Sequence, residues 1–280
     1  MTRVLRFIPA AFAAIALSAC NTTDADVDRA LDPLNVIDET NLNAVMLNAA
    51  APEEAVDYFR RAVEADPDRV DLQRGLATSL VRAGRAAEAL TVWQRVIAHD
   101  GSMNQDRVDY ADALIRTGDW DGAQARLGAT PPTFETYERY RLEAMIADSE
   151  EDWPRADSFY ETAAGLTTRP ANVYNNWGYS HLTRGDYNGA EELFMQAISY
   201  DPELFTAKNN LVLARAAQGN YELPLINMTQ IERAQLLHTA ALAAIRQGQV
   251  DQGRTLLNEA IDTHPQHFDA AVTALRALDA

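Results

Sequence analysis

The chain has 280 residues, 47% of them hydrophobic and 23% charged, enough apolar material for a packed core and against disorder throughout. Its formal charge is -17, and Lys208 is the only lysine among 24 basic residues. With no clustered basic patch, such a surface would repel nucleic acid and anionic lipid, which argues against either as the main partner.

In chain order, residues 1–19 read as a targeting segment. Arg3 and Arg6 form a positive start, and the apolar stretch from Phe7 to Ala16 is too short to span a bilayer. Leu17-Ser18-Ala19-Cys20 then places small residues before the chain's single cysteine, which leaves no intramolecular disulfide. This arrangement resembles the bacterial lipobox, and the resemblance implies cleavage before Cys20 and lipidation (palmitate or a related acyl chain) of that residue. Asn21 stands where an Asp would favour retention in the inner membrane, so the expected location is the outer membrane, facing the periplasm. Residues 20–35 read as the lipidated cysteine and an acidic tether. Asp24, Asp26 and Asp28 begin like a calcium loop, but Arg29 and Asn35 occupy the positions that need Gly and Glu, so a solvated linker is expected.

Residues 36–280 form the main domain, and they repeat. The clearest unit runs from Ala171 to Leu204, with Tyr174, Trp177-Gly178, a Gly185-Asp186-Tyr187 turn, then Ala190, Phe194, Ala197 and Pro202. Large and small residues alternate where two antiparallel helices would cross, and Asp201-Pro202 would stop the second helix. These residues resemble the tetratricopeptide repeat (TPR). The resemblance implies an all-α solenoid in which each hairpin buries its apolar face on a neighbour. Small residues marking the second helix recur at Ala55, Ala89, Ala123, Ala156, Ala190, Pro224 and Gly253, spaced 34, 34, 33, 34, 34 and 29 residues apart. About seven hairpins and a C-terminal capping helix, Phe268 to Ala280, are predicted.

Four repeats are irregular. The first lacks a turn glycine. The third has a short second helix running into Gly128-Ala129-Thr130-Pro131-Pro132, and in the fourth Glu150-Glu151-Asp152 replaces the turn glycine. In the sixth, Pro224 sits near the start of the second helix, where the first turn is expected to tolerate it; a shortened helix and an irregular stretch from Tyr221 to Gln230 are predicted.

No constellation for catalysis is present. A Gly-rich phosphate loop, a His-Glu-x-x-His zinc helix, a Gly-x-Ser-x-Gly elbow and a usable cysteine nucleophile are all missing, so no catalytic residue, metal site or cofactor is predicted. The proline in His264-Pro265-Gln266-His267 would break any helix that aligned the two rings. The aromatic residues Phe59, Trp93, Trp120, Trp153, Tyr160, Trp177 and Phe194 recur at repeat positions and are expected in the core.

By repeat position, the first helices should line a concave groove through Asp71, Arg74, Thr78, Arg82, Asp112, Arg116, Arg141, Met145, Asn172, Asn175, Tyr179, Asn209 and Leu213. From these, Arg74, Arg82, Arg116, Arg141, Asn172, Asn175, Tyr179 and Asn209 are the predicted peptide-binding residues. Arg and Asn side chains there could hold a peptide backbone or a C-terminal carboxylate. The stretch Gly219 to Leu225 and the run from Arg233 to Leu278, with Thr263-His264-Pro265-Gln266-His267-Phe268, resemble the TadD family of tight-adherence (Flp) pilus assembly lipoproteins. That resemblance implies a non-enzymatic scaffold or adaptor for pilus or secretin assembly, with protein or peptide partners and membrane contact through the anchor alone. The alternative is an outer-membrane TPR adaptor for β-barrel assembly or for cell-wall hydrolases.

Overall fold

The computed structural model describes residues 42–278. The expected signal segment 1–19, Cys20, the tether 20–35 and the start of the first predicted helix lie outside the described residues.

The described residues are all-α. A helix over 42–48 (α1) pairs with α2 (Pro52–Ala65), α3 (Val70–Arg82) with α4 (Ala86–Ala98), and α5 (Asn104–Arg116) with the short α6 (Trp120–Gly128). Next come α7 (Tyr137–Ser149) with α8 (Trp153–Gly165) and α9 (Ala171–Thr183) with α10 (Tyr187–Tyr200). The single helix α11 (Phe205–Ala217) follows, then α12 (Gln230–Arg246) with α13 (Val250–Thr263), and the cap α14 (Asp269–Ala277).

One packing rule builds every complete hairpin. Ala55, Ala89, Ala123, Ala156 and Ala190 have no exposed surface, and four residues on, one helical turn away, Phe59, Trp93, Leu127, Tyr160 and Phe194 are at most 2% exposed. Gly178 shows how close the helices come: a Cβ there would lie 2.7 Å from the Phe194 ring, so no larger residue fits. Successive first helices α3, α5, α7, α9 and α11 touch one another, whereas the second helices contact first helices. The first helices therefore make the inner face of the stack.

Each hairpin from the second repeat onward turns in the same way. Gly84, Gly118, Gly185, Gly219 and Gly248 have φ between 74° and 85°. The amide three residues past the helix end bonds back to a carbonyl of the last turn, as from Arg85 to Leu80 (2.8 Å) and from Asp186 to His181 (2.9 Å). In the fourth repeat Glu151 adopts this left-handed conformation at φ 60°, and Asp152 still bonds to Ala147 at 2.9 Å. A side chain at that backbone conformation costs about 1 kcal/mol. Glu151→Gly is therefore expected to raise stability by about 1 kcal/mol in urea unfolding; an unchanged or lower midpoint contradicts this.

The sixth repeat departs from the sequence expectation. Its turn forms as the others do, with Asn220 bonding to Arg215 at 3.0 Å, but no second helix follows. The reason lies in the marker position. In the other repeats its amide makes the first helical bond, such as Ala190 to Asp186 (3.0 Å), Ala156 to Asp152 (2.9 Å) and Gly253 to Gln249 (2.9 Å). Pro224 has no such N–H, and it disfavours helical backbone at Leu223. Pro224 is thus one turn too deep to be tolerated as a helix-start proline. The irregular stretch is present as predicted, but the shortened helix is absent: among the described residues, seven first helices stand against six second helices. Residues Tyr221, Leu223, Ile226 and Met228 of this stretch plug the cores on either side, and α12 packs directly on α11.

Candidate functional site

Two pockets lie on the inner face. The first, about 190 Å³, is walled by α3, α5 and α7 through Thr78, Val108, Asp109, Asp112, Glu138 and Arg141. The second, about 480 Å³, is walled by α7, α9 and α11 together with Trp120.

The first pocket is charged. Asp112 accepts from Arg116 at 2.5 Å and from Arg141 at 3.2 Å, which spends both arginines on one carboxylate. Asp109 has only a Gln105 amide at 2.8 Å, while Asp106, Asp112 and Glu138 surround it; burial pushes its carboxyl up to about 6, and these acids add to the rise. Because the folded state holds this proton more tightly than the unfolded chain, Asp109 favours folding below about pH 4. That contribution is lost as pH rises through about 6. Asp109→Asn is therefore expected to stabilise the protein by about 2 kcal/mol at pH 8, with the gain gone at pH 4. Equal unfolding free energies for the two proteins at pH 8 would contradict this.

The second pocket is mostly neutral. Met145, Tyr160, Tyr179 and Trp120 supply apolar surface, and Asn175, Ser180, Thr183, Thr206 and Asn210 supply hydrogen-bonding groups. Asn210 donates to Asn175 Oδ1 at 3.1 Å, linking α11 to α9. Asp148 at the base accepts from Ser180 at 2.6 Å and from Tyr160 at 2.7 Å. Burial raises the Asp148 carboxyl in spite of these bonds, and burial beside Asp148 raises the Tyr160 phenol well above its ordinary value. Tyr179 and Trp120 stand 55% and 36% exposed at the pocket, a large aromatic area open to a ligand.

The eight predicted groove residues fall into distinct settings. Asn175 and Tyr179 wall the second pocket, and Arg116 and Arg141 wall the first. Arg74 joins repeats: it donates to the buried Asp106 at 2.6 and 3.0 Å and to the Gly101 carbonyl at 2.5 Å. Arg82 caps α1 and its turn, donating to the carbonyls of Leu47 (2.5 Å) and Ala50 (3.0 Å). Asn209 accepts from the Thr239 hydroxyl at 2.8 Å, and Asn172 is exposed outside both pockets.

Sequence reasoning missed Trp120, Thr206 and Asn210 as site residues. Trp120 was expected in the core, but it stands at the first position of α6, 36% exposed, as Val250 at the start of the longer α13 is 42% exposed. The wall residue of α11 is Asn210, one position past Asn209, the place matching Asn175 in the repeat spacing. Three of the histidines are absorbed in packing: His181 bonds Asp186 at 2.7 Å beside Trp177, and His238 and His264 lie against Phe268.

Three segments match models of the tetratricopeptide repeat: residues 46–104, 171–204 and 236–267. The middle match has the same bounds as the unit read from the sequence. No curated protein matches the chain. Among solved structures it is similar to human IFIT1 in a dimer with m7Gppp-AAAA, at 13% identity and TM-score 0.62 over 91% of this chain and 68% of that one. A chain of the APC/C hetero-tetramer Cut9-Hcn1 gives 16% identity and TM-score 0.60 over 90% of this chain; this chain spans about half (51%) of its length. PilW, a widely conserved type IV pilus biogenesis factor, gives 14% identity and TM-score 0.54 over 74% of this chain and 98% of that one. At these identities the likeness is one of fold. The fold is a tetratricopeptide-repeat solenoid, an architecture of protein-interaction scaffolds.

Proposed function

We propose that this chain is a non-enzymatic adaptor that holds an extended segment of a partner protein in the pocket between α7, α9 and α11. The observation that carries this reading is the second pocket itself. Its exposed Tyr179 and Trp120 offer a place for an apolar side chain, while Asn175, Thr183 and Thr206 offer donors and acceptors for a peptide backbone. The chain is held to the periplasmic side of the outer membrane through lipid on Cys20, and it serves assembly of an Flp-type pilus or its secretin. Support for the membrane anchor is the Leu17-Ser18-Ala19-Cys20 sequence; support for the pilus role is the tail from Arg233 to Leu278. A type IV pilus biogenesis factor also uses this fold.

The test is a deletion strain complemented with variants. Deletion is expected to abolish secretin multimers and surface pili, and the Cys20→Ala chain to leave the membrane fraction. A chain with Asn175→Ala and Tyr179→Ala should accumulate normally yet fail to restore pili. Normal piliation in the deletion strain overturns the pilus assignment, and full rescue by the pocket variant overturns the pocket.

A further inference from the structure

The missing second helix of the sixth repeat leaves a vacancy on the outer side of the solenoid. In the other repeats this place is held by α2, α4, α6, α8, α10 or α13, each covering the apolar flank of its own first helix. Beside α11 the irregular stretch covers it only in part. An open cleft of about 520 Å³ remains between α10, α11 and residues 222–226. Met195 on α10 is 45% exposed at its wall, and Leu225 is fully exposed. Leu211 forms the floor. Glu191 and Glu222 line the cleft; the one cation lining it, Arg215, is already bonded to Glu191 at 3.4 Å, and Glu222 is the exposed acid at its rim.

We infer that this cleft is a second docking surface and that it takes an amphipathic α-helix of a partner protein, apolar on one face and flanked by lysine or arginine. A helix is specified because it is the element that the repeat geometry accepts at this place six times elsewhere in the chain. Basic flanks are specified by the acidic rim, on a chain whose formal charge is -17. Exposed Leu225 does not stand alone on the surface: it shares one apolar lining with Met195, Leu211, Leu223 and Ile226. A docked helix would cover it. The surface is separate from the inner-face pockets and does not rest on their assignment.

The probe is a fluorescent peptide with the α4 sequence, residues 86–98, carrying Glu88→Lys, Thr91→Lys and Gln94→Lys on its outer face. Its control carries glutamate at the same three positions. With the full chain, fluorescence anisotropy should show saturable binding of the lysine peptide, at least about tenfold tighter than the control. The Met195→Asp, Leu225→Asp chain should bind at least about tenfold more weakly with an unchanged melting temperature, since both side chains are exposed. Leu225→Ser alone should weaken binding in the same direction, and Asn175→Ala with Tyr179→Ala should leave it intact. No saturable binding at millimolar chain overturns the inference, as does binding indifferent to position 225 or equal for the two peptides. So does sedimentation showing a dimer that Leu225→Asp converts to monomer, because the occupant would then be a second copy.

Discussion

Arg74→Met is expected to destabilise the solenoid by about 3–5 kcal/mol, the largest loss from any single surface-reaching side chain in the N-terminal half. Asp106 is 1% exposed and Arg74 20%, so this is a pair largely withdrawn from water. Two guanidinium nitrogens of Arg74 meet both carboxylate oxygens of Asp106, and the same side chain reaches the Gly101 carbonyl. Methionine keeps most of the stem's packing and removes the charge. Asp106 would keep the Met103 amide at 2.7 Å but bury a charge with no cation beside it. Adding Asp106→Asn should recover part of the loss, because the uncompensated charge disappears with it. Urea unfolding of the single and double variants checks this; a loss below about 1 kcal/mol for Arg74→Met would show the pair to be a solvated surface contact.

Trp120→Ala together with Tyr179→Ala is expected to weaken partner capture about a hundredfold, roughly 3 kcal/mol. Aromatic residues that are exposed in the free protein and become covered in the complex carry much of the binding free energy at such sites. Both stand partly open at the pocket, so their removal should leave the fold intact. The measurement is the affinity of the purified partner, once captured, for the two chains, with circular dichroism showing equal helix content. Equal affinities would move the binding site away from the second pocket.

Much of the fold was legible because one hairpin geometry recurs. Each small residue from Ala55 to Ala190 marks a helix crossing, and each large residue four places on fills the space beside it. Pro224 was legible as a break but not as the loss of a whole helix. That depends on its being the residue whose amide closes the first turn, a detail of register and not of residue type. The site was less legible, since inward position does not distinguish a side chain that waits for a ligand from one bonded to the next repeat. Arg74, Arg82 and Arg141 all look like open groove residues in the sequence, yet Asp106, the end of α1 and Asp112 occupy them. Asn209 and Asn210 are adjacent in the sequence, and only helix rotation decides which one reaches Asn175. Trp120 is exposed as the first residue of its helix, and its place at a pocket walled by α7, α9 and α11 needed the folded stack.

On the proposed reading, the inner face between α7, α9 and α11 holds the partner. The most direct measurement places a photocrosslinking amino acid at position 179 in the pocket, and at position 199 on the exposed side of α10, in cells. Position 179 should give one discrete crosslinked protein, lost when Asn175→Ala and Asn210→Ala are added, while position 199 should not give that product. Capture of the same protein from position 199 alone, or an adduct at 179 indifferent to both asparagines, would contradict it.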